Sequence, residues 1–207
     1  EFAGADPRVV VLTNRSNCGL ASSLNRGFRA SRGLFIARMD ADDVSHPERL
    51  VRQVEFMRGN PRLVACGTSA LIVDEYGNIL ADRYMGRSVD QYRLVGLFDV
   101  GLLHPTALIR AEVVRNEGLE YDETLSVAQD VDFFFRMQGL GQIAVLPDRL
   151  LKYRTHSAAS SSVHRARQVE IHTRLFAKRR RGCPVLAEVT QGNLALTLKV
   201  AVFREVA

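Results

Sequence analysis

The sequence contains no tryptophan, only three cysteines and no long apolar run. Cys18, Cys66 and Cys183 are too few and too widely spaced for a disulfide framework or a zinc knuckle, so we expect a reducing, cytoplasmic environment. No apolar stretch approaches the roughly 20 residues of a membrane span, and we expect no signal peptide at the start. These absences argue against a secreted disulfide-rich domain and against an integral membrane protein.

The composition is that of an ordinary globular protein. With 207 residues, of which 46% are hydrophobic and 25% charged, the chain is long enough for one well-packed domain. Its formal net charge is +5, and the basic residues are almost all arginine. This charge favours phosphate-bearing or other anionic partners, but over this length it is too small to indicate nucleic-acid binding.

Strand and helix patterns alternate along the chain. Val9–Leu12 and Leu34–Met39 are apolar runs typical of buried strands, and Leu20–Ala30 carries apolar residues at helical spacing. A second helix is predicted from His46 to about Arg58, because Ser45 to Glu48 has the pattern of a capping box. Further predicted elements are strands at 64–73, 104–110, 143–146 and 151–153, a helix starting near 130 and a helix over 163–181. The alternation predicts an α/β fold with a mostly parallel sheet flanked by helices.

Three carboxylates, Asp40, Asp42 and Asp43, follow directly after the second predicted strand. Open α/β sheets present their ligand crevice outside the carboxyl ends of their strands. Clustered carboxylates repel one another unless a cation lies between them, and Mg²⁺ or Mn²⁺ prefers such oxygen ligands. Asp is also a common turn and N-cap residue, but Ser45 already fills the predicted cap of the next helix. A metal-binding loop is therefore favoured over a plain solvated one.

Several short motifs stand in one order between about residues 8 and 165. They are Asn17–Ala21 with Asn25, Gly33, Met39–Asp43, Pro47–Leu50, His104–Thr106, Gln129–Asp132, and Tyr153–His156 with Ser160. Each motif alone is weak, but their order resembles that of the family 2 glycosyltransferases. The resemblance implies a GT-A fold, which is a Rossmann-like α/β domain that binds a nucleotide-diphosphate sugar.

The resemblance implies donor-site roles for the residues that match the motifs. Asn17 and Gly19 would belong to the nucleotide-sugar site, and Asp40 would approach the ribose. Asp42 would bind a Mg²⁺ or Mn²⁺ ion, which would hold the diphosphate and offset charge on the leaving group. His156 matches a histidine that reaches the metal or the diphosphate, although on its own it would be interpreted as an exposed loop histidine.

Other matches concern the acceptor. Asp130 matches the family's general base, which would take the proton from an acceptor hydroxyl while attack opposite the diphosphate inverts the anomeric centre. Without the resemblance, Asp130 is equally well explained as a helix N-cap. His104, Asp132 and Arg154 are assigned to the acceptor or diphosphate region, and His104 is also open to a purely structural role.

The implied function is transfer of one sugar to a saccharide or lipid-linked acceptor, as in the assembly of cell-envelope polysaccharides. The absence of tryptophan removes the Gln-x-x-Arg-Trp segment of processive synthases, which favours single transfer. Lys178–Arg181 is most simply a solvated helix end. A weaker interpretation is contact with anionic lipids, which would place the protein peripherally at the inner face of the membrane.

The resemblance further implies that the chain starts at the third strand of the family's domain, without two strands that form much of the nucleobase pocket. We therefore expect a partial GT-A catalytic domain in residues 1–165 and a helical extension in residues 166–207. Central parallel strands are buried on both faces. The polypeptide alone should therefore be poorly stable unless a partner chain covers the exposed edge.

Two other functions are open on the sequence. Asp40 to Val44 also matches the D-x-D-x-V motif of haloacid-dehalogenase-type phosphatases, but no fitting acidic pair follows Lys152. The second alternative is a non-catalytic transferase fragment that serves as a binding module.

Overall fold

The computed structural model describes residues 6–95, 101–156 and 165–181, and the structural statements below concern these residues. The helices are α1 (Gly19–Ala30), α2 (Arg49–Gly59), α3 (Val89–Val95), α4 (Ala111–Asn116), α5 (Gln129–Gln138) and α6 (Arg165–Arg181). The strands are β1 (Phe35–Ala37), β2 (Val44–Ser45), β3 (Leu63–Val73), β4 (Ile79–Arg83), β5 (Leu108–Arg110) and β6 (Gln142–Arg154). Within these ranges, no helix combines the length and apolar character needed to cross a membrane.

One mixed sheet contains these six strands, in the order β1-β5-β3-β6-β2, with β4 paired to β3 beside that path. β3 and β6 run parallel along the whole of β3, and the other pairings are antiparallel. β1, β3 and β6 therefore share one direction, and β2, β4 and β5 run the opposite way. The predicted α/β class with helices flanking the sheet is confirmed, and the sheet is more mixed than the alternating pattern indicates.

The shared direction of three strands brings their carboxyl ends to one edge of the sheet. β1 ends at Ala37, β3 at Val73 and β6 at Arg154. The segments that follow these strands meet at this edge, where α/β sheets bind ligands. They include Asp40–Asp43, called the acidic loop below, and His156.

β3 lies at the centre of the sheet and is buried along nearly all of its length, as expected for an apolar strand covered on both faces. Gly67 allows a 3₁₀ turn at His104–Thr106 to approach closely, because a Cβ at this position would lie 2.7 Å from the Leu102 side chain. Thr106 Oγ1 accepts a hydrogen bond from the Thr68 N–H at 3.2 Å. This packing fixes His104 against the sheet.

An aromatic cluster joins α1 to α5. Phe28 of α1 packs against Tyr121 and Phe133, with ring centroids 5.3 and 5.6 Å apart. Tyr121 also stacks on Phe133 at 4.1 Å. Asn25 is fully buried on α1, where it donates to the Tyr121 carbonyl and accepts from the Tyr121 N–H. These contacts fix the chain that leads into α5.

Some local predictions are wrong. The strand predicted over 104–110 begins with the 3₁₀ turn His104–Thr106, and only Leu108–Arg110 is a strand. Val9–Leu12 is coil, with Val10 72% exposed, because no described strand pairs with it. α2 begins at Arg49, three residues later than predicted, and has no side-chain cap because Ser45 belongs to β2 and pairs with Leu151. The strands predicted at 143–146 and 151–153 are parts of one strand, β6.

β1 is the end of the sheet among the described strands, and Leu34 directly before it is 76% exposed. An apolar edge of this kind favours association with other chains. The low stability expected for the polypeptide alone stays a prediction. The division into residues 1–165 and 166–207 also stays a prediction, because the structure describes the extension only to Arg181.

Candidate functional site

The acidic loop connects β1 to β2, and the first of its three carboxylates balances a buried cation. Asp40 pairs with Arg38 at the end of β1, and the Arg38 Nη1 to Asp40 Oδ2 distance is 2.5 Å. The Arg38 side chain is 6% exposed, whereas that of Asp40 is 36% exposed. Asp40 is thus the partner of a buried cation, and its carboxylate is held in place at the entrance of the loop.

Asp43 is buried beneath the loop. Its Oδ1 accepts a hydrogen bond from the Arg154 N–H at 2.9 Å, and its Oδ2 is buried with no hydrogen-bond partner among the described residues. Burial, together with the nearby charges of Asp40 and Asp42, raises the pKa of Asp43 to about 6, and the hydrogen bond from the Arg154 N–H opposes this rise. Asp43 therefore joins the loop to β6 at an electrostatic cost near neutral pH.

Replacing Asp43 with asparagine should stabilise the fold at neutral pH. The folded pKa of about 6 exceeds the usual 3.8, so between these pH values the folded state binds more protons than the unfolded state. The free energy of unfolding therefore falls as the pH rises from about 4 to about 6. Asparagine keeps the bond from Arg154 without a charge. We expect a gain of about 1–2 kcal/mol at pH 7.5 by urea unfolding, and a weaker pH dependence between about pH 4 and 6. A variant with an unchanged pH slope would contradict this expectation.

Asp42 and His156 meet across the edge of the sheet. His156 Nε2 lies 3.2 Å from Asp42 Oδ2, although the two residues are 114 positions apart. Arg154 supports the contact from β6, since its Nε donates to the Asp42 carbonyl at 2.9 Å. The same guanidinium also donates to the carbonyls of Asp74 and Glu75 in the turn after β3. Arg154 therefore connects the acidic loop, the turn after β3 and the end of β6.

The separation of Asp42 and His156 fits two ligands of one divalent ion. Octahedral Mg²⁺ has ligand bonds of about 2.0–2.1 Å, which places neighbouring ligands about 3 Å apart. Within the described part of the chain, no group of three His, Cys, Asp or Glu residues could hold a metal ion. An ion here would therefore need further oxygen ligands, such as substrate phosphates and water, as is common for Mg²⁺ sites.

Asp130 lies in the first turn of α5 and is not its N-cap. The N-cap is Ala128, which has the positive φ of 60° and makes no side-chain capping bond. Burial raises the pKa of the Asp130 carboxyl, while the charges of His172 and Arg38 and two backbone N–H groups oppose this effect. The structure thus removes the plain N-cap explanation, and the role of general base stays a prediction.

The structure places His104 and Asp132 among other partners. His104 is buried and shares a hydrogen bond of 2.7 Å with the Tyr121 hydroxyl. Burial and the charge of Arg38 lower the pKa of His104 well below its usual value, so this ring is neutral. Asp132 forms an ion pair of 2.8 Å with Arg136 one turn later on α5. Their assignment to the acceptor or diphosphate region stays a prediction.

Asn17 and Gly19 shape the start of α1. The Asn17 side chain accepts a hydrogen bond from the Gly19 N–H at 3.0 Å. Gly19 has a φ of 81°, which a residue with a side chain rarely adopts. The N-cap residue Cys18 makes no side-chain capping bond, and the N-terminus of a helix is a position that favours anions. Contact of Asn17 and Gly19 with a nucleotide-sugar stays a prediction.

Comparison with known proteins decides the family. The sequence model described as "Glycosyl transferase family 2" matches residues 1–118. The chain belongs to glycosyltransferase family 2. This assignment gives no support to the haloacid-dehalogenase alternative.

Two curated members of the family illustrate the similarity. An uncharacterized glycosyltransferase of Haemophilus influenzae is 29% identical over 185 residues, which cover 82% of this chain and 55% of the relative. The amylovoran biosynthesis glycosyltransferase AmsE of Erwinia amylovora is 30% identical over 153 residues, which cover 72% of this chain and 55% of AmsE. The chain spans about half the length of these relatives.

Solved structures show the same fold. S. aureus TarS in complex with UDP-GlcNAc matches with a TM-score of 0.59 and 19% identity, over 83% of this chain and 52% of the TarS chain. Such a low identity supports the fold alone. The match confirms the GT-A fold expected for a family 2 member.

The sequence interpretation did not single out two cations near the family 2 motifs. Arg38 pairs with Asp40, and His172 on α6 acts electrostatically on Asp130. For Arg38 a signal was available, because it is a charged residue inside an apolar run that otherwise predicts a buried strand. For His172 the sequence contains no local signal, because only the packing of α6 on α5 brings this residue near Asp130.

Proposed function

We propose that this chain carries the donor site and catalytic base of an inverting, metal-assisted glycosyltransferase. The reaction is transfer of one sugar from a nucleotide-diphosphate sugar to a saccharide or lipid-linked acceptor. The observation that supports it most is the approach of His156 to Asp42 at 3.2 Å, beside Asp40. Two metal-ligand side chains from distant parts of a family 2 chain meet at the edge of the sheet where α/β folds bind ligands.

Each residue in the site has a chemical role in this proposal. Asp42 and His156 would hold a Mg²⁺ or Mn²⁺ ion, which would supply Lewis-acid stabilisation of the departing diphosphate. Asp40, kept in position by Arg38, faces the ribose, and Asn17 and Gly19 complete the nucleotide-sugar site. The backbone and guanidinium of Arg154 keep the acidic loop closed on β6.

Asp130 supplies the proton acceptor. A carboxyl whose pKa is raised by burial is a stronger base than an exposed one, and the charges of His172 and Arg38 oppose this rise. Its partial exposure allows an acceptor hydroxyl to approach. Removal of the hydroxyl proton during attack from the face opposite the diphosphate inverts the anomeric centre. His104 and Asp132 belong to the acceptor side in this proposal.

The names of similar proteins support a proposed substrate class. TarS was solved with UDP and with UDP-GlcNAc, while AmsE is named for amylovoran biosynthesis and ExoO of Rhizobium meliloti for succinoglycan biosynthesis. We therefore infer a role in polysaccharide biosynthesis for the cell envelope. In this role the protein would act on the cytoplasmic side, in peripheral contact with the membrane that carries the acceptor.

A thermal-shift titration tests the donor site. UDP, GDP and dTDP are each added with and without Mn²⁺ to the chain and to an Asp42→Asn variant. We expect one nucleotide to raise the melting temperature only with Mn²⁺, by an amount that corresponds to about 2.7 kcal/mol at 100 times its dissociation constant. The Asp42→Asn variant should lose this rise. Glu55→Gln, which changes an exposed residue of α2, is the matched control and should keep it.

The other outcomes of the titration favour other functions. A nucleotide shift that does not need Mn²⁺ and persists in Asp42→Asn would overturn the metal-assisted site. A stable chain that binds none of the nucleotides would favour the non-catalytic binding module instead.

A further inference from the structure

The C-terminal helix α6 packs on the helix that carries the catalytic base. Ile171 and Phe176 of α6 form a buried cluster with Val127, Ala128 and Val131 around the start of α5. Phe176 also makes an edge-to-face contact with Phe135, with ring centroids 5.1 Å apart. The first turn of α5, where Asp130 lies, is therefore covered by a specific face of α6.

His172 lies on that face. Residues four positions apart share one side of a helix, and His172 is four residues before the buried Phe176. The two rings are in edge-to-face contact, with centroids 6.0 Å apart. The His172 side chain is only partly exposed. The imidazole therefore lies on the side of α6 whose residues Ile171 and Phe176 pack around the start of α5.

The groups around the Asp130 carboxyl come from three parts of the fold. Arg38 acts on it from the end of β1 and His172 from α6, while the backbone N–H groups of Asp130 and Val131 bond to it within α5. The Tyr121 hydroxyl group also interacts electrostatically with Asp130. His172 has the largest favourable effect on the charged form of the carboxyl. It is the natural partner of this carboxylate.

We propose that His172 is a positioning residue for Asp130, whose carboxylate it pairs with and directs toward the acceptor hydroxyl. The catalytic meaning of the pair rests on the proposed function, whereas the pairing itself does not. α6 then takes part in the reaction, because it carries the histidine that positions the catalytic base Asp130. His172 itself touches neither donor nor acceptor.

Histidine NMR titration of the full chain tests the pairing without any substrate. The His172 ring signal is identified by its loss in His172→Gln, and its titration is compared between the native chain and Asp130→Asn. Because the coupling of two charges is mutual, loss of the Asp130 charge should lower the titration midpoint of His172 by about 1 pH unit. His46 is exposed at the start of α2 and serves as the internal control. Equal His172 midpoints in the two chains would overturn the pairing.

A transfer assay tests the positioning role. His172→Gln should lower kcat by about 10-fold and move the acidic limb of the pH profile to higher pH, because the carboxylate loses its partner. KM for the donor and the nucleotide-dependent thermal shift should not change. Arg174→Gln, an exposed change on the same helix, should leave all readouts unchanged. A His172→Gln chain with the native pH profile would overturn the positioning role.

The two experiments separate the failure of this inference from failure of the proposed function. A native chain that shows the His172 coupling but transfers no sugar would overturn the proposed function and with it the catalytic meaning of the pair. A native chain that transfers sugar but shows no coupling would overturn the pair alone.

Discussion

Replacing Asp130 with asparagine should lower the rate of sugar transfer by about 10²–10⁴-fold, which is the usual contribution of a general base. Asparagine has nearly the same shape but cannot accept the proton of the attacking hydroxyl. The loss should appear in kcat, because in the proposed function Asp130 acts on the acceptor, whereas Asp42 and His156 act on the donor. The assay uses the donor that gives the largest Mn²⁺-dependent thermal shift.

The control for Asp130 is a carboxyl outside the site. Asp122→Asn changes an exposed turn residue whose carboxylate accepts hydrogen bonds from Thr124 in the same turn, and it should transfer sugar at the native rate. The native kcat/KM should fall on the acidic side of the pH profile, at a pH above the usual carboxyl range, because burial raises the pKa of Asp130. Full activity in Asp130→Asn would remove it from the reaction.

Replacing Asp40 with asparagine should destabilise the fold more than the same change at Asp42. Arg38 is buried and would lose the charge that balances it. Removing one partner of a buried pair costs about 3–5 kcal/mol. Because Asp40 itself is 36% exposed, we expect a smaller loss, about 2–3 kcal/mol. For a chain of this size that loss lowers the melting temperature by about 5–10 °C.

The comparison with Asp42 is made by urea unfolding without nucleotide or metal. Asp42 has the same loop environment but balances no buried cation, so Asp42→Asn should unfold within about 0.5 kcal/mol of the native chain. Loss of nucleotide binding in Asp40→Asn can therefore be separated from loss of folding. If Asp40→Asn and Asp42→Asn are equally stable, the Arg38 pair does not contribute as the structure indicates.

The local sequence pattern was sufficient to predict most helices and strands. It was insufficient where the formation of a strand depends on pairing with another strand. The helical spacing of Leu20 and Phe28 predicts α1, and the long apolar run after residue 63 predicts β3 because both signals are local. Val9–Leu12 looks equally strand-like, but a strand exists only where another strand pairs with it. Pro147 and the polar residues after it interrupt the apolar pattern of β6, although pairing with β3 continues past them.

In the candidate site too, the sequence predicted residues but not the contacts that depend on packing. The order of motifs was enough to select Asp42, Asp130 and His156, and to place the first two after a strand and at a helix start. The order of motifs could not show that Asp42 contacts His156, because this contact depends on the position of the end of β6. Nor could it show that His172 acts electrostatically on Asp130, because this effect depends on how α6 packs. Arg38 was missed for a different reason, since the apolar run around it predicted a strand and its own charge was disregarded.

The contacts of Arg154 and its neighbours with the acidic loop affect the order in which the parts of the fold form. The contacts that close the acidic loop join Asp43 and Asp42 to residues 111, 112 and 114 positions later. Contacts so distant along the chain form slowly, because the entropy of closing a large loop is lost before they contribute any stability. On the ribosome, the loop emerges long before β6 exists to hold it. The acidic loop is therefore among the last segments to become native, after the central sheet has assembled.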